Sequence, residues 1–327
     1  MTQPALTFPK GGTHPEESKS LAEHQKIEPM PVPRELEILL NQHFGAPADA
    51  LVKKKDTVSE GDLIGEVTQG LGANIHSSVT GKVKNIGTSG HPVQVRAKSI
   101  LIETDTEAAP REYSPTDWTA LSSKNLLGRI KDAGIVGIGG AGFPTHVKLS
   151  PPPEAKVDTL IINGAECEPY LTTDHRVMLE HPDQIIEGAK IILTILGITT
   201  CHIGVEVNKS DAIEALTDAA LKTSSGGTHI EVNPLMVKYP QGSEKQLIEG
   251  ITGRRVPGFG LPFDVGVIVQ NVGTTKAIYD AVVLEKPLYE KVITVSGRGI
   301  ARTANLRVKV GTRVSDIAEF LGGPRRI

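Results

Sequence analysis

The stretch Thr159-Leu160-Ile161-Ile162-Asn163-Gly164-Ala165-Glu166-Cys167-Glu168-Pro169 joins a short apolar run to a polar turn. An apolar run without polar alternation is typical of a strand that is buried on both faces. Further runs of this kind alternate with segments of helical spacing, which favours an α/β core of parallel strands covered by helices. The other strand-like runs lie at 201–207, 229–232 and 265–269, and the helical segments at 121–133, 185–196 and 244–251, with a further helix beginning at Ser210.

The composition is that of an ordinary soluble protein, with 39% hydrophobic and 22% charged residues among 327 positions. A formal net charge of −3 argues against a nucleic-acid binder that depends on bulk positive charge. No run approaches the roughly 18 apolar residues of a membrane span. The polar N-terminus also lacks the apolar core of a signal peptide. We therefore expect a cytoplasmic protein, either free or docked on something else.

Cys167 and Cys201 are the two cysteines of the chain. Two cysteines exclude a disulfide framework and any self-contained four-cysteine metal or iron–sulfur site within this sequence. Cys167 lies among carboxylates, which raise a thiol pKa, so a nucleophilic role is not favoured. Cys201 opens an apolar strand and is expected to be part of the core.

The strongest local signal is the loop Gly137-Ile138-Gly139-Gly140-Ala141-Gly142-Phe143-Pro144-Thr145. Closely spaced glycines allow successive backbone amides to form a nest for a phosphate or pyrophosphate. The loop follows a helix rather than a strand, so its context differs from that of the usual dinucleotide fingerprint. Lys148 is expected to reach back over the loop and add a positive charge. The alternative interpretation is a flexible connector.

Three further polar clusters follow strands or precede helices. Residues 163–168 offer an amide and two carboxylates suited to ribose hydroxyls, at the strand edge where α/β folds bind ligands. Gly242 and Ser243 are expected to form a turn and cap the next helix, and 269–275 repeats the strand-end pattern. Each cluster alone is compatible with an ordinary solvated turn or helix cap. Together with the glycine-rich loop, they suggest convergence on one pocket.

Composition divides the chain into four regions. Residues 1–32 form an arm that either wraps the protein or contacts a partner, and 33–107 carry short β-like runs typical of a small barrel or sandwich. This pattern resembles the barrel-sandwich hybrid of biotinyl and lipoyl carriers. The tip at 71–76 has no lysine for attachment, so a structural or docking role is favoured over a carrier. The α/β domain covers 116–286, and 287–327 look like the start of another small β module.

The polar clusters resemble those of the flavin-binding subunit of respiratory complex I, whose motifs are G-R-G-G-A-G-F-P-T-G-x-K, N-x-D-E-x-E-P, G-E-E and N-N-V-E-T. Within that group, Gly11-Gly12-Thr13-His14-Pro15-Glu16-Glu17-Ser18-Lys19 resembles the opening G-G-I-H-P-x-x-x-K of the C subunits of Rnf ion-translocating electron-transport complexes. Gln42-His43-Phe44-Gly45-Ala46-Pro47-Ala48 resembles their Q-H-I-G-A-P-A. The resemblance implies a barrel-sandwich domain, a Rossmann-like FMN-binding domain and the start of a β-grasp-like (SLBB) module.

The resemblance also implies an FMN site and an NADH site, with hydride transfer from NADH to the flavin and no catalytic acid or base from the protein. Ile138, Ala165 and Ser243 depart from the family's arginine, aspartate and glutamate, which weakens the expectation for NADH more than that for FMN. The implied FMN positions are Gly137, Gly139, Gly140, Gly142, Lys148, Asn163, Gly242, Asn271 and Thr274, and those near NADH are Phe143, Glu166, Glu168 and Glu244.

Members of this family continue into a ferredoxin-like region whose two C-x-x-C-x-x-C-x-x-x-C-P runs hold 4Fe-4S clusters. This chain has no such cysteines, and its ending in mid-module favours a fragment over a member that has lost the onward electron path.

The expected function is that of a peripheral subunit on the cytoplasmic side of the inner membrane. It would pass electrons between NADH and ferredoxin or iron–sulfur centres through FMN. The expected partners are the other subunits of an Rnf-type complex, with no nucleic acid. The alternative is a non-catalytic scaffold with degenerate nucleotide loops.

Overall fold

The computed structural model describes residues 4–222 and 227–323. The first three residues of the predicted arm and the last four of the predicted β module lie outside the described residues. The chain divides into two compact units. The first comprises 1–26, 122–126 and 147–279, and the second 27–121, 127–146 and 280–327.

Strands and helices alternate from residue 159 onward, as the sequence predicts for an α/β core. Among the described residues, no helix is long and apolar enough to cross a membrane. The strands are β1 (Ile27–Pro29), β2 (Glu35–Leu39), β3 (Asp49–Ala50), β4 (Thr57–Val58), β5 (Leu63–Glu66), β6 (Ile75–His76), β7 (Gly81–His91), β8 (Val95–Thr104), β9 (Thr159–Gly164), β10 (Thr200–Glu206), β11 (His229–Leu235), β12 (Val267–Asn271), β13 (Glu290–Val295) and β14 (Ala304–Lys309). The α-helices are α1 (Ser123–Asp132), α2 (Thr145–Lys148), α3 (Thr173–Glu180), α4 (Pro182–Leu196), α5 (Ser210–Lys222), α6 (Glu244–Thr252), α7 (Val272–Val283) and α8 (Val314–Phe320).

The first unit is built on a parallel sheet in the order β11-β10-β9-β12. Its central strand β9 is almost wholly buried, which explains why its sequence is a continuous apolar run. Beside β11, Leu6 of the N-terminal arm forms a further parallel bridge with Leu235. The arm therefore meets the edge of this sheet at Leu6.

The order of the strands reverses between β9 and β12. From β9 the chain crosses to β10 and then β11 on one side, and it returns to the opposite side of β9 as β12. Helices that connect such crossovers cover opposite faces of the sheet, so a crevice opens outside the carboxyl ends of the two strands at the reversal. The edge where β9 and β12 end is thus the position at which folds of this kind bind ligands.

Apolar side chains from both the sheet and the helices build the core of the first unit. Ile161 and Val269 from adjacent strands pack with Leu247 and Ile248 of α6. Cys201 in β10 is fully buried, as expected for a core residue, and burial raises the pKa of its thiol.

Two local features of this unit differ from the sequence prediction. The strand expected over 265–269 begins only at Val267, because Pro262–Val265 forms a short 3-10 helix that ends at Gly266 in the left-handed conformation. Helix α3 was not predicted. Its eight residues include an unusual buried pair, His175 and Arg176, in place of a simple apolar stripe.

The second unit contains the small β-rich domain. One sheet has the order β2-β8-β7-β4, a second has β3-β5-β6, and the two share an apolar core that includes Leu36, Ile64 and Ile100. Residues 52–56 are not strand, and β7 and β8 form a long antiparallel hairpin that was not predicted from the sequence. A separate three-stranded sheet has β14 between β13 and β1, and α8 packs on it.

We expect Gly188→Ala in α4 to lower stability. The added methyl group would lie 2.2 Å from the carbonyl oxygen of Thr275, so the helices must move apart. Overpacking of this kind costs about 1–3 kcal/mol. The matched control is Gly128→Ala in α1, where nothing lies within 4 Å of the new carbon. Because alanine favours a helix over glycine by ~0.5–1 kcal/mol, the control should stabilise the protein. Thermal unfolding followed by circular dichroism measures both changes, and equal effects would contradict the close helix contact.

Candidate functional site

Two predicted site residues are neighbours across the strand reversal. Asn163 at the end of β9 is in register with Asn271 at the end of β12. The sequence placed each residue at a strand end, but only the strand order makes the two ends adjacent. The edge between β9 and β12 is therefore the centre of the candidate site in the first unit.

Asn163 ties the turn after β9 to the turn before α6. Its side-chain amide donates to the carbonyl oxygen of Gly242 at 2.8 Å, and its side-chain oxygen accepts from the backbone N–H of Ala165 at 3.1 Å. A β-carbon on Gly242 would lie 2.3 Å from the carbonyl oxygen of Ala165. The two predicted clusters therefore meet at a contact that admits only glycine.

Cys167 takes part in the same contact, since its sulfur accepts from the N–H of Gly242 at 3.4 Å. Burial raises the pKa of this thiol. The expectation that Cys167 is not an activated nucleophile therefore agrees with its surroundings.

Asn271 has two partners at the start of α7. Its side-chain oxygen accepts from the N–H of Thr274 at 3.1 Å, which caps the helix, and its amide donates to the Asp174 carboxylate at 2.7 Å. Thr274 itself is fully buried. The amide of Asn271 thus links the strand edge to the beginning of α3.

Glu166 is buried, and its two carboxylate oxygens have different surroundings. One accepts from the backbone N–H of Asp174 at 2.8 Å, while the other is buried without a hydrogen-bond partner among the described residues. Burial and then the charge of Asp174 raise the pKa of Glu166 to about 7. Burial also raises the pKa of Asp174, against the opposing effect of the hydrogen bond from Asn271. The edge therefore contains a coupled pair of carboxyl groups that retain protons more readily than free ones.

Sequence reasoning missed several charged groups around this pair. Lys19 of the N-terminal arm lies 4.0 Å from the Glu166 carboxylate, and Glu206 pairs with Lys209 at 2.8 Å in full burial. Glu206 is the last residue of β10, so its place at a strand end was an available signal. The signal for Lys19 was weaker. Its position in the N-terminal motif was visible, but nothing in the local sequence shows that the lysine is buried.

Lys148 and Glu244, predicted to contact different ligands, form an ion pair at 2.6 Å. Both side chains remain partly exposed, so the pair sits at the surface of the edge.

Ser243 occupies the position before α6, as predicted, but its side chain makes no capping hydrogen bond. The expected cap is therefore absent. Glu168 in the neighbouring turn is exposed.

The glycine-rich loop belongs to the second unit. The N–H of Gly137 donates to the carbonyl oxygen of Phe143 at 2.9 Å, which closes the loop, and Phe44 donates its N–H to Gly142 at 3.0 Å. Gly142 adopts φ +65°, and a β-carbon there would lie 3.2 Å from the carbonyl oxygen of Gln42. Gly139 and Gly140 are exposed, and nothing lies within 4 Å of a β-carbon built on Gly140. The loop thus has a fixed base and an open tip.

The arrangement in the first unit fits a phosphorylated flavin in three respects. Helix α6 begins at the strand edge with first-turn amides that the Ser243 side chain does not cap, and helix starts of this kind favour phosphate. The glycine contact at residue 242 lets two turns approach closely. Glu166 contributes a buried carboxylate oxygen that has no hydrogen-bond partner among the described residues, with the Lys19 ammonium 4.0 Å away. Over the described ranges, no group of three or more His, Cys, Asp or Glu side chains is arranged to hold a metal ion.

Comparison with known families gives two matches within this chain. Residues 130–280 match the Nuo51 FMN-binding domain, and residues 6–107 match the RnfC barrel-sandwich hybrid domain. A solved NAD+-reducing NiFe-hydrogenase in the air-oxidized state superposes with a TM-score of 0.55 at 25% identity, over 63% of this chain and 40% of that one. The α/β architecture with a barrel-sandwich domain predicted from the sequence is confirmed.

Curated relatives cover most of the chain. The C subunit of the proton-translocating ferredoxin:NAD(+) oxidoreductase complex of Clostridium ljungdahlii is 47% identical over 96% of this chain and 68% of its own length. The C subunit of the Na(+)-translocating complex of Acetobacterium woodii is 39% identical over 96% of this chain and 70% of its own length. That of the ion-translocating oxidoreductase complex of Rhodobacter capsulatus is 40% identical, and this chain covers 60% of it. The chain belongs to the RnfC family, the C subunits of ion-translocating oxidoreductase complexes.

Proposed function

We propose that this chain binds FMN at the β9–β12 edge and exchanges electrons with NAD(H) as part of an Rnf-type complex. The observation that carries the proposal is the register of Asn163 with Asn271, which brings two predicted flavin positions together at the strand reversal. The match of residues 130–280 to an FMN-binding domain supports the same assignment.

In this proposal, the residues of the edge bind and orient rather than react. Asn163 and Gly242 hold the two turns together, Asn271 and Thr274 form the start of α7, and the first-turn amides of α6 would face the flavin phosphate. The chemistry that bound FMN supplies is acceptance of a hydride from NADH and release of single electrons. The flavin and nucleotide contacts that the resemblance implies for Gly137, Gly139, Gly140, Gly142 and Phe143 remain predictions.

The protonation of Glu166 and Asp174 determines how much negative charge an incoming nucleotide meets at this edge. A nicotinamide dinucleotide carries two phosphates, so a fully ionised Glu166–Asp174 pair would oppose it. Burial raises the pKa of both groups, so the pair tends to retain a proton. A retained proton lowers the negative charge of the pair. Lys148, paired with Glu244, adds a further charged group beside the start of α6.

The relatives are subunits of ion-translocating ferredoxin:NAD(+) oxidoreductase complexes, which supports other subunits of such a complex as partners. We assign this chain to the cytoplasmic side of the membrane as a peripheral subunit, in contact with other subunits. Electrons would pass between FMN and ferredoxin or iron–sulfur centres beyond the residues of this chain.

A non-catalytic scaffold is the second candidate. The ion pair between Lys148 and Glu244 favours it, because two predicted ligand groups already satisfy each other. The departures at Ile138, Ala165 and Ser243 point the same way. Saturable FMN binding by the chain separates the two candidates, since a scaffold with degenerate loops would show none.

We expect the chain to quench FMN fluorescence saturably and Gly242→Ala to weaken that binding at least about tenfold. The new methyl group would force apart the turns after β9 and before α6. Gly128→Ala serves as the control, and circular dichroism verifies that each variant is folded. A folded wild-type chain without saturable quenching would contradict the FMN assignment.

We expect NADH to bleach the absorbance of the reconstituted flavin under anaerobic conditions. The reason is that the predicted nucleotide residues flank the proposed flavin edge. Glu166 and Glu168 lie in the turn after β9, and Glu244 is the first residue of α6. Stopped-flow absorbance measures the reaction, with NADH added to free FMN as the control. Bound flavin that stays oxidised would leave FMN binding in place but refute the NADH assignment.

We expect Glu166→Gln to change how stability depends on pH. The pKa of Glu166 is raised to about 7 in the folded chain, whereas an unfolded glutamate has a pKa of about 4.3. The stabilisation from its bound proton is therefore complete below about pH 4 and is lost as the pH rises towards 7. Between pH 5 and 8 the wild type should lose stability relative to the variant, by at least the ~1.4 kcal/mol of one pKa unit.

Urea unfolding at several pH values measures this difference. Glu214→Gln, which removes an exposed carboxylate on α5, is the control for the loss of one charge. A difference between wild type and Glu166→Gln that stays constant over this range would show that Glu166 does not hold the proton.

A further inference from the structure

The N-terminal arm places a lysine beneath the turn that carries the predicted nucleotide carboxylates. Lys19 is only 5% exposed. Its ammonium donates to the backbone carbonyl oxygens of Glu168 at 2.9 Å and Leu171 at 2.6 Å. Moving an ammonium group out of water is costly unless hydrogen bonds and opposite charges replace the lost hydration. The contacts of Lys19 therefore hold residues 168–171 in one conformation.

The arm is attached to the same turn at other points. Tyr170 adopts φ +69°, a left-handed conformation that is strained for a residue with a side chain, and its N–H donates to the carbonyl oxygen of Glu17 at 2.9 Å. The side-chain amide of Asn208 donates to the Glu17 carboxylate at 2.5 Å. Farther back, Thr13 and Tyr239 exchange two backbone hydrogen bonds of 2.8 Å. The strained turn is thus held by a segment distant in sequence.

The charges around Lys19 explain how it can remain buried. Burial lowers the pKa of Lys19, while the carboxylates of Glu166, at 4.0 Å, and of Glu206 and Glu17 oppose that effect and favour the ammonium form. Lys209 opposes it, but Lys209 is itself paired with Glu206. Asp174 completes the set of charged groups that act on Glu166 in this region. The lysine therefore belongs to the same charge cluster as the proposed nucleotide-binding carboxylates.

We propose that Lys19 is a positioning residue for the nicotinamide nucleotide: it holds the 166–171 turn in the shape that receives the nucleotide. The inference rests on the proposed function. Lys19 contacts the Glu168 and Leu171 carbonyls and Glu166, while the Asn163–Gly242 contact and the Asn271 cap have other partners. A change at Lys19 therefore affects NADH more than FMN.

The test uses the FMN-loaded chain and the variants Lys19→Met, Lys19→Arg and Lys10→Met. Lys10→Met is the matched control, because it removes an exposed lysine from the same arm. Anaerobic flavin reduction at increasing NADH gives an apparent Kd for NADH and a limiting rate, and fluorescence quenching gives the Kd for FMN. Thermal unfolding shows that each variant is folded at the assay temperature.

We expect Lys19→Met to raise the apparent Kd for NADH about tenfold, the loss expected when a charged donor is removed from buried carbonyls. The Kd for FMN should stay within about twofold of the wild-type value. Lys19→Arg, which keeps a charged donor, should restore part of the NADH affinity, and Lys10→Met should match the wild type. If Lys19→Met does not fold, Lys19→Gln replaces it, with the same expected outcomes.

Two results overturn the inference while leaving the proposed function intact. An unchanged Kd for NADH in a folded Lys19→Met variant shows that the turn does not depend on Lys19. Parallel losses of FMN and NADH binding that follow the unfolded fraction show a purely structural role. A wild-type chain whose bound FMN is not reduced by NADH instead overturns the proposed function and this inference with it, so the failures are distinguishable.

Discussion

The pairing of β9 with β12 is the constraint on which the candidate site depends. Because the two strands are parallel and in register, their carboxyl ends stop at the same level, and Asn163 and Asn271 become neighbours. The turns and helices that follow them must then diverge from one place. The hydrogen bond from Asn271 to Asp174, which joins the end of β12 to the segment after β9, depends on the two strands ending together at the reversal of the sheet.

Buried charge is the second determinant of this edge. Glu166, Glu206, Lys19 and Lys209 are each less than a tenth exposed, an arrangement that is stable only when opposite charges and backbone dipoles surround every group. A core of apolar residues would satisfy folding equally well. The ion pair of Lys19 with Glu166 ties the arm to the turn after β9.

Local patterns were sufficient to predict the parallel α/β core and the polar strand ends, because burial of β9 leaves a continuous apolar run and Asn163 follows it directly. The order of the strands in the sheet could not be predicted from local patterns, since it depends on packing between distant segments. Lys19 and Asp174 were missed for the same reason: their importance comes from partners far away in sequence. The ion pair of Lys148 with Glu244 was likewise not predicted, because each residue was assigned alone to a ligand. The ligand roles assigned to individual residues remain predictions.

Strand β1 adds a consequence for how the chain is made. It lies just after the arm, yet its neighbour in the sheet is β14, near the other end of the described chain. During synthesis on a ribosome, β1 emerges long before its partner exists, so its backbone groups remain unpaired until residues 304–309 have been made. Such a long-range contact slows folding and leaves an edge exposed to wrong pairing in the meantime. The second unit is therefore completed last, even though its first strand is among the earliest segments to leave the ribosome.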